Sequence, residues 1–410
     1  MQFNFYDVIL LSTIVIGVCS LAYLLFAAFC VERFHRARTA QTAASTFQAP
    51  VTILKPVCGL DTEIATNLRS FCEQDYPEYQ IIFGLHDEND PVCPIIKDII
   101  NDYPTRDISV VIDKRIHGTN HKVSNLINMF PGAKHEILFI ADSDMRVPKN
   151  YLNAVVSPFA DRKIGAVTCL YSGTPKGGIA SSLNAMFINE WFFPSVLISR
   201  RIQETRFCLG ATMAVRREIL EDNGGFKALS DHLADDYMLG KLVTDSGYKI
   251  HLTQFVVENI VHEPSFKSML LHELRWARTL RTVEPLSYVF TFLTDTFVIS
   301  CMAGAIAFLY TSQLLWPISI ISFVLLIRIL FHLRVNSVLD SRDSGSFWLV
   351  PIRDIISFFI RVASFTGNTV EWRSNTFSVD NAGLIYNGEI YQYQLENNKE
   401  VPDLAVSEDY

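Results

Sequence analysis

Two carboxylates stand one residue apart at the end of an apolar run: Asp142 and Asp144 in "FIADSDMRV" (139–147). A core strand does not select them, because burying unpaired charge is costly. A divalent cation does, because hard cations take carboxylate oxygens. Two more acidic clusters follow the same pattern. "LHDEND" brings Asp87 to the end of another apolar run, and "LADDYMLGKLV" brings Asp235 and Asp236 to the opening of a helical pattern. A lone acid before a helix is usually a cap. Recurrence of acids at comparable places points to a site.

Carboxylates gathered this way suit transfer of a group from a nucleotide diphosphate. The diphosphate is anionic, so acids hold it only through a bridging Mg²⁺ or Mn²⁺. A further carboxylate, free of metal, takes the proton of an acceptor hydroxyl. A cation must then meet the departing diphosphate. "SFKSMLLHELRWARTLR" (265–281) offers Arg275, Arg278 and Arg281 every three residues, with Trp276 among them. The same segment also fits an interfacial helix with Arg and Trp anchors.

The elements that must position these residues are legible between 45 and 285. Short apolar runs rich in β-branched residues ("VTILKP", "YQIIFGLHD", "ISVVID", "HEILFIAD", "IGAVTCLY") alternate with helical stretches at 61–73, 91–102 and 120–130. This alternation predicts an α/β domain with a mostly parallel sheet covered on both faces. Ligands of such sheets bind beyond the carboxyl ends of the strands, where the acids fall.

Around this domain lies membrane sequence. Val8–Val31 carries no charge over 24 residues, and about 20 apolar residues cross a bilayer. It lacks the basic start and short core of a signal peptide. The "ERFHRAR" that follows predicts a cytoplasmic domain after it. A second apolar block reads as spans near 289–310 and 314–332, with Asp295 inside the first. Asp354 and Arg361 share one face of 347–366, which predicts an interfacial helix or a span with its polar stripe inward. The expected organisation is 1–44, span and basic linker; 45–285, catalytic domain; 286–375, membrane region; and 376–410, a tail disordered after Glu396. A net charge of −8 argues against nucleic acid as partner. Eight scattered cysteines without a CxxC pair read as reduced thiols.

In order and spacing the motifs resemble a family-2-type GT-A glycosyltransferase of the ceramide glucosyltransferase branch, family 21. "LKP" ends the first strand, an acid ends the second, and "HKVSNL", "DSD", "DDY" and an RW motif follow before the C-terminal membrane helices. "NLRSFCEQDYP", "ADSDMRVP", "MFINEWFFPS" and "HELRWART" resemble bacterial hopanoid-biosynthesis-associated members. The resemblance implies a GT-A (Rossmann-like) domain with N- and C-terminal transmembrane helices, in the bacterial inner membrane and facing the cytoplasm. The implied reaction is inverting transfer from a UDP-sugar to a lipid hydroxyl. N-acetylglucosamine on bacteriohopanetetrol is the first expectation, and glucose on ceramide the alternative.

Residue by residue, the resemblance places Pro56 and Asp87 on the nucleotide side. Lys122, Asn125 and Asp235 fall near the nucleotide-sugar, and Asp142 and Asp144 hold Mg²⁺ or Mn²⁺. Asp236 is the general base, and Arg275 and Trp276 lie near the diphosphate and acceptor. Two departures stand out: His272 occupies the first position of the (Q/R)xxRW motif, and Asp144 stands where animal ceramide enzymes have Gly. The apolar segment 184–198 reads either as a core helix or as a lipid-facing groove with Glu190 and Trp191 at the acceptor headgroup. The rivals are a processive polysaccharide synthase, which needs more spans, and a membrane-anchored nucleotide-sugar receptor, which has no use for the extra carboxylate at 236.

Overall fold

The computed structural model describes residues 5–40, 47–372, 375–380 and 383–387. Among these, eight strands form one sheet: β1 (Val51–Pro56), β2 (Tyr79–Leu85), β3 (Asp107–Ile112), β4 (Ile137–Ile140), β5 (Met145–Arg146), β6 (Ile164–Pro175), β7 (Met213–Arg216) and β8 (Lys249–Val261). Their spatial order is β3-β2-β1-β4-β7-β6-β8-β5. β1 to β4 are mutually parallel, β7 runs against both β4 and β6, β6 and β8 are parallel, and β5 opposes β8. The expected mostly parallel sheet is present.

The continuous apolar runs have a direct cause. Successive strand residues point to opposite faces, so a strand covered on both faces has no polar side. Ile53, Ile81 and Phe139 enter one core layer with Phe71 and Tyr151. Their neighbours Leu54, Ile82 and Ile140 enter the other, with Leu126, Met129 and Met213.

The membrane region departs in part from expectation. Asp7–Thr39 and Leu315–Val338 are long and apolar enough to cross a bilayer. The span expected at 289–310 is instead bent by 62° between Pro285–Thr294 and Thr296–Thr311. The break falls at Asp295, which is buried and ion-paired with Arg361. A straight helix would leave that carboxylate in hydrocarbon. Helix Val350–Ser364 turns Arg353, Asp354, Ser357 and Arg361 inward and exposes Ile352, Ile355 and Phe359. Its 15 residues reach about 22 Å, short of the ~30 Å hydrocarbon core.

The tail expected from 376 begins with structure. β9 (Thr369–Trp372), β10 (Asn375–Val379) and β11 (Ile385–Asn387) form an antiparallel sheet. The disorder expected after Glu396 concerns residues outside those described.

Candidate active site

The chain leaves β4 at Ile140, turns through Asp142–Asp144 and enters β5. Contacts from distant elements fix this turn. The N–H of Ile260 donates to the Asp144 carbonyl at 2.9 Å, and Ser143 Oγ donates to Asp61 Oδ2 at 2.6 Å. Lys55, fully buried on β1, donates its ammonium to the Asp142 carbonyl and lies 3.7 Å from the Phe71 ring centre. Burial draws the Lys55 pKa down to about 7, against the pull of Asp142 and Asp144.

Asp144 is half-buried. Asn259 Nδ2 donates to its Oδ2 at 2.8 Å, while its Oδ1 has no hydrogen-bond partner among the described residues. Burial, then Asp142 and Asp61, push its pKa up to about 7.

Beside this turn the other acids converge. Lys122 Nζ pairs with Asp142 Oδ1 at 2.8 Å and with Asp235 Oδ2 at 3.1 Å. Burial opposes the Lys122 charge, but the two carboxylates outweigh it and raise its pKa. Lys122 sits in the first turn of helix His121–Met129, which Asn120 caps by accepting from Val123 N–H at 3.1 Å. Asp235 and Asp236 open helix Asp235–Asp245, where the positive end of the helix dipole favours carboxylates. Both oxygens of Asp236 accept backbone N–H groups, from Gly210 at 3.0 Å and Tyr237 at 2.8 Å. Burial and then Asp235 push its pKa up to about 6.

Gly210 marks the point of convergence. A Cβ there would lie 3.0 Å from Asp142 Oδ2, 3.5 Å from Asp236 Oδ2 and 3.9 Å from Lys122 Nζ.

Of the three expected arginines, one serves this cluster. Half-buried Arg275 acts electrostatically with Asp142, Asp236 and Asp235; burial lowers its pKa and these acids oppose the shift. Arg278 and Arg281 instead donate to backbone carbonyls at the start of β9 and just before it, those of Thr369 and Gly367. Trp276 packs on Phe187 at 5.7 Å, and the His272 ring meets it edge-on at 4.7 Å. His272 Nδ1 bonds Glu263 Oε1 at 2.8 Å, so this residue anchors the start of its helix.

The remaining expected residues are placed elsewhere. Pro56 ends β1 in register with Gly84. Asp87 is exposed beyond β2 and accepts from the Asn89 N–H at 3.0 Å. Asn125 donates to the Gly84 carbonyl at 2.8 Å, fastening the Lys122 helix to β2. Glu190 is a correction. It is buried and paired with Arg328 at 3.2 Å and His332 at 2.6 Å, because a carboxylate among membrane helices requires cationic partners. Trp191 stacks on Phe187 at 4.9 Å and donates to Thr294 Oγ1 at 3.0 Å. Both line a cavity of about 30 Å³, room for a water or two and too small for a lipid headgroup.

Sequence reasoning missed Lys55, Gly210, Asn259 and Tyr171, the last of these half-buried and electrostatically close to Asp236, Asp144 and Asp142. Only Lys55 left a signal, as a charge inside a buried strand. The others act through approach of segments far apart in the chain.

Among the described residues no group of three or more His, Cys, Asp or Glu forms a ready metal cage. A divalent ion fits nonetheless. Asp144 Oδ1 is an orphaned acceptor, and an Mg²⁺-type ion needs only one or two carboxylates, completing its shell with substrate phosphate oxygens and water.

Comparison with known proteins identifies the family. Relatives include ceramide glucosyltransferase 3 of Caenorhabditis elegans, 21% identical over 347 residues, covering 82% of this chain and 74% of the relative. Ceramide glucosyltransferase 1 of the same organism is 21% identical over 366 residues, covering 87% and 76%. A ceramide glucosyltransferase of Candida albicans is 38% identical over 120 residues, covering 26% and 22%. Among solved structures, a Pyrobaculum calidifontis mannosyltransferase in complex with GDP-Man and Mn²⁺ aligns with TM-score 0.48 and 16% identity, over 85% of this chain and 99% of that one. The profile of glycosyl transferase family 21 matches residues 12–385. The chain belongs to glycosyl transferase family 21, as a hexosyltransferase with apolar helices on both sides of its sheet domain.

Proposed function

We propose that this enzyme transfers a hexose from a UDP-sugar to the hydroxyl of a membrane lipid, with inversion, and that the lipid is a ceramide and the sugar glucose. The observation that carries the reading is the convergence of Asp142, Asp236 and Lys122 on Gly210, with Arg275 beside them. The names of the relatives favour ceramide over the N-acetylglucosaminyl hopanoid first expected from the motif strings. The complete Asp142-x-Asp144 pair supports the hopanoid as the second reading.

In the mechanism, Asp236 takes the proton of the acceptor hydroxyl. That oxygen bonds the anomeric carbon as the bond to the diphosphate breaks on the opposite face. Arg275 meets the charge that develops on the departing UDP; such stabilisation is often the largest catalytic contribution. Lys122 holds Asp142 and Asp235 in place. Asp142 and Asp144 would hold Mg²⁺ or Mn²⁺, which would neutralise the diphosphate. Arg33, Arg36 and Arg38 at the polar end of the first helix support a cytoplasmic catalytic domain. A bacterial inner membrane accompanies the hopanoid reading.

The test gives purified enzyme UDP-glucose or UDP-N-acetylglucosamine with ceramide or bacteriohopanetetrol, with and without Mg²⁺ or Mn²⁺, and reads products by mass. Metal-dependent glucosylceramide is the expected result. An N-acetylglucosaminyl hopanoid would move the acceptor to the second reading, and a polymer ladder would overturn lipid transfer.

A further inference from the structure

A second cavity lies away from the acid cluster. It measures about 660 Å³ and opens between the end of helix Phe193–Ile202, the loop after it and the start of β8. That volume is in the range of ligand sites, about 300–1,000 Å³. It also meets the far end of helix Asp235–Asp245, where Asp245 lies roughly 13 Å along the axis from Asp236.

Its lining opposes the overall charge of the chain. Arg200, Arg201, Arg206 and Lys249 face two carboxylates, Glu204 and Asp245, in a protein of net charge −8. Glu204 is held by Lys249 at 3.0 Å. The three arginines are exposed and make no ion pair among the described residues.

The position is the edge of the membrane. Helix Phe193–Ile202 packs on the N-terminal membrane helix: Phe193 meets Phe34 edge-on at 5.3 Å, and Val196 and Leu197 share an apolar cluster with Ala27 and Val31. Arg201 and Arg33 are both within electrostatic reach of Cys30. Charge on the membrane helix begins at Glu32 and Arg33, the depth at which hydrocarbon gives way to headgroups. Ile202, next to the arginines, is 73% exposed.

We propose that this cavity binds the phosphate of an anionic phospholipid headgroup and so holds the catalytic domain down on the bilayer. Guanidinium forks match phosphate oxygens in pairs, and Ile202 reaches the acyl boundary beside them. The lipid is a peripheral ligand, separate from donor and acceptor.

Native mass spectrometry of the full chain in detergent tests this, with dioctanoyl phosphatidylglycerol, dioctanoyl phosphatidylcholine and inorganic phosphate as probes. Phosphatidylglycerol should bind at least tenfold more tightly than phosphatidylcholine and resist displacement by equimolar phosphate. Arg200→Gln with Arg201→Gln should lose at least tenfold of that affinity at unchanged melting temperature. Should the pair fail to fold, Arg206→Gln on the exposed loop should lose at least threefold. Equal affinity for the two lipids, displacement by phosphate, or unchanged affinity in the folded variant would overturn the proposal.

Discussion

Asp236 accepts two backbone N–H groups, yet burial and Asp235 outweigh them and push its pKa up to about 6. A base works only when deprotonated. The kcat/KM should therefore rise as pH climbs through about 6, and a kcat/KM profile flat from pH 5 to 7.5 would remove Asp236 from the role. Asp236→Asn should lower kcat by ~10²–10⁴ and leave UDP binding, read by calorimetry, nearly unchanged. Gly210 gives a separate test. In Gly210→Ala the methyl would press on Asp142 Oδ2 at 3.0 Å, displacing a carboxylate assigned to the metal without removing any charge. We expect kcat to fall at least tenfold with melting temperature little changed; full activity would mean the cluster tolerates a side chain at its centre. The sequence displayed the acids because charge after an apolar run is conspicuous. It hid Gly210 and Asn259, whose importance comes from where β8 and the 207–212 segment return in space.

Elements hold the base helix from outside the catalytic sheet. Asn120 caps the Lys122 helix and also donates its side-chain amide to the His232 carbonyl at 2.8 Å. From the other side Ile385 N–H donates to the Asp231 carbonyl at 2.9 Å. Leu233 inserts among Val370, Phe377, Val379 and Ile385, two residues before Asp235. The C-terminal sheet thus packs against the loop that aims both acids. Phe377→Ala removes a large part of that apolar cluster, and Phe→Ala in a core costs about 3–5 kcal/mol. The loss should act locally: faster proteolysis within 230–234 and lower kcat, with acceptor KM much less affected. Unchanged cleavage there would show that the sheet does not brace the loop. None of this was legible, since strands at 369–387 are short and polar residues interrupt them. The parallel strands β1 to β4 were legible because burial on both faces leaves an unbroken apolar run. The 184–198 segment was read as one apolar stretch, but a π-helical turn at Ile188–Phe192 divides it. That turn carries Glu190 into the membrane-side ion pairs.

Across the whole molecule, buried charge joins the catalytic domain to its membrane helices. Arg328 pairs with Asp354 at 2.6 Å and Glu190 at 3.2 Å, linking helices Leu315–Val338 and Val350–Ser364 to the segment of Trp191. Arg353 reaches Glu273 at 2.7 Å, and Glu273 lies two residues before Arg275 on helix Phe266–Val283. Arg275, the guanidinium proposed to meet the diphosphate, therefore shares its helix with an ion pair made to helix Val350–Ser364. Breaking one partner of a buried pair costs about 3–5 kcal/mol, whereas replacing both with apolar residues of similar size is often neutral. Glu273→Gln should lower the melting temperature markedly and reduce turnover. Glu273→Leu with Arg353→Met should recover most of the stability. If the pair also sets the depth and angle of Arg275, the double variant will stay slow although stable, with kcat depressed and UDP affinity near normal. If the pair only fills the interface, turnover will return with stability. Measuring both quantities on one preparation separates the two roles.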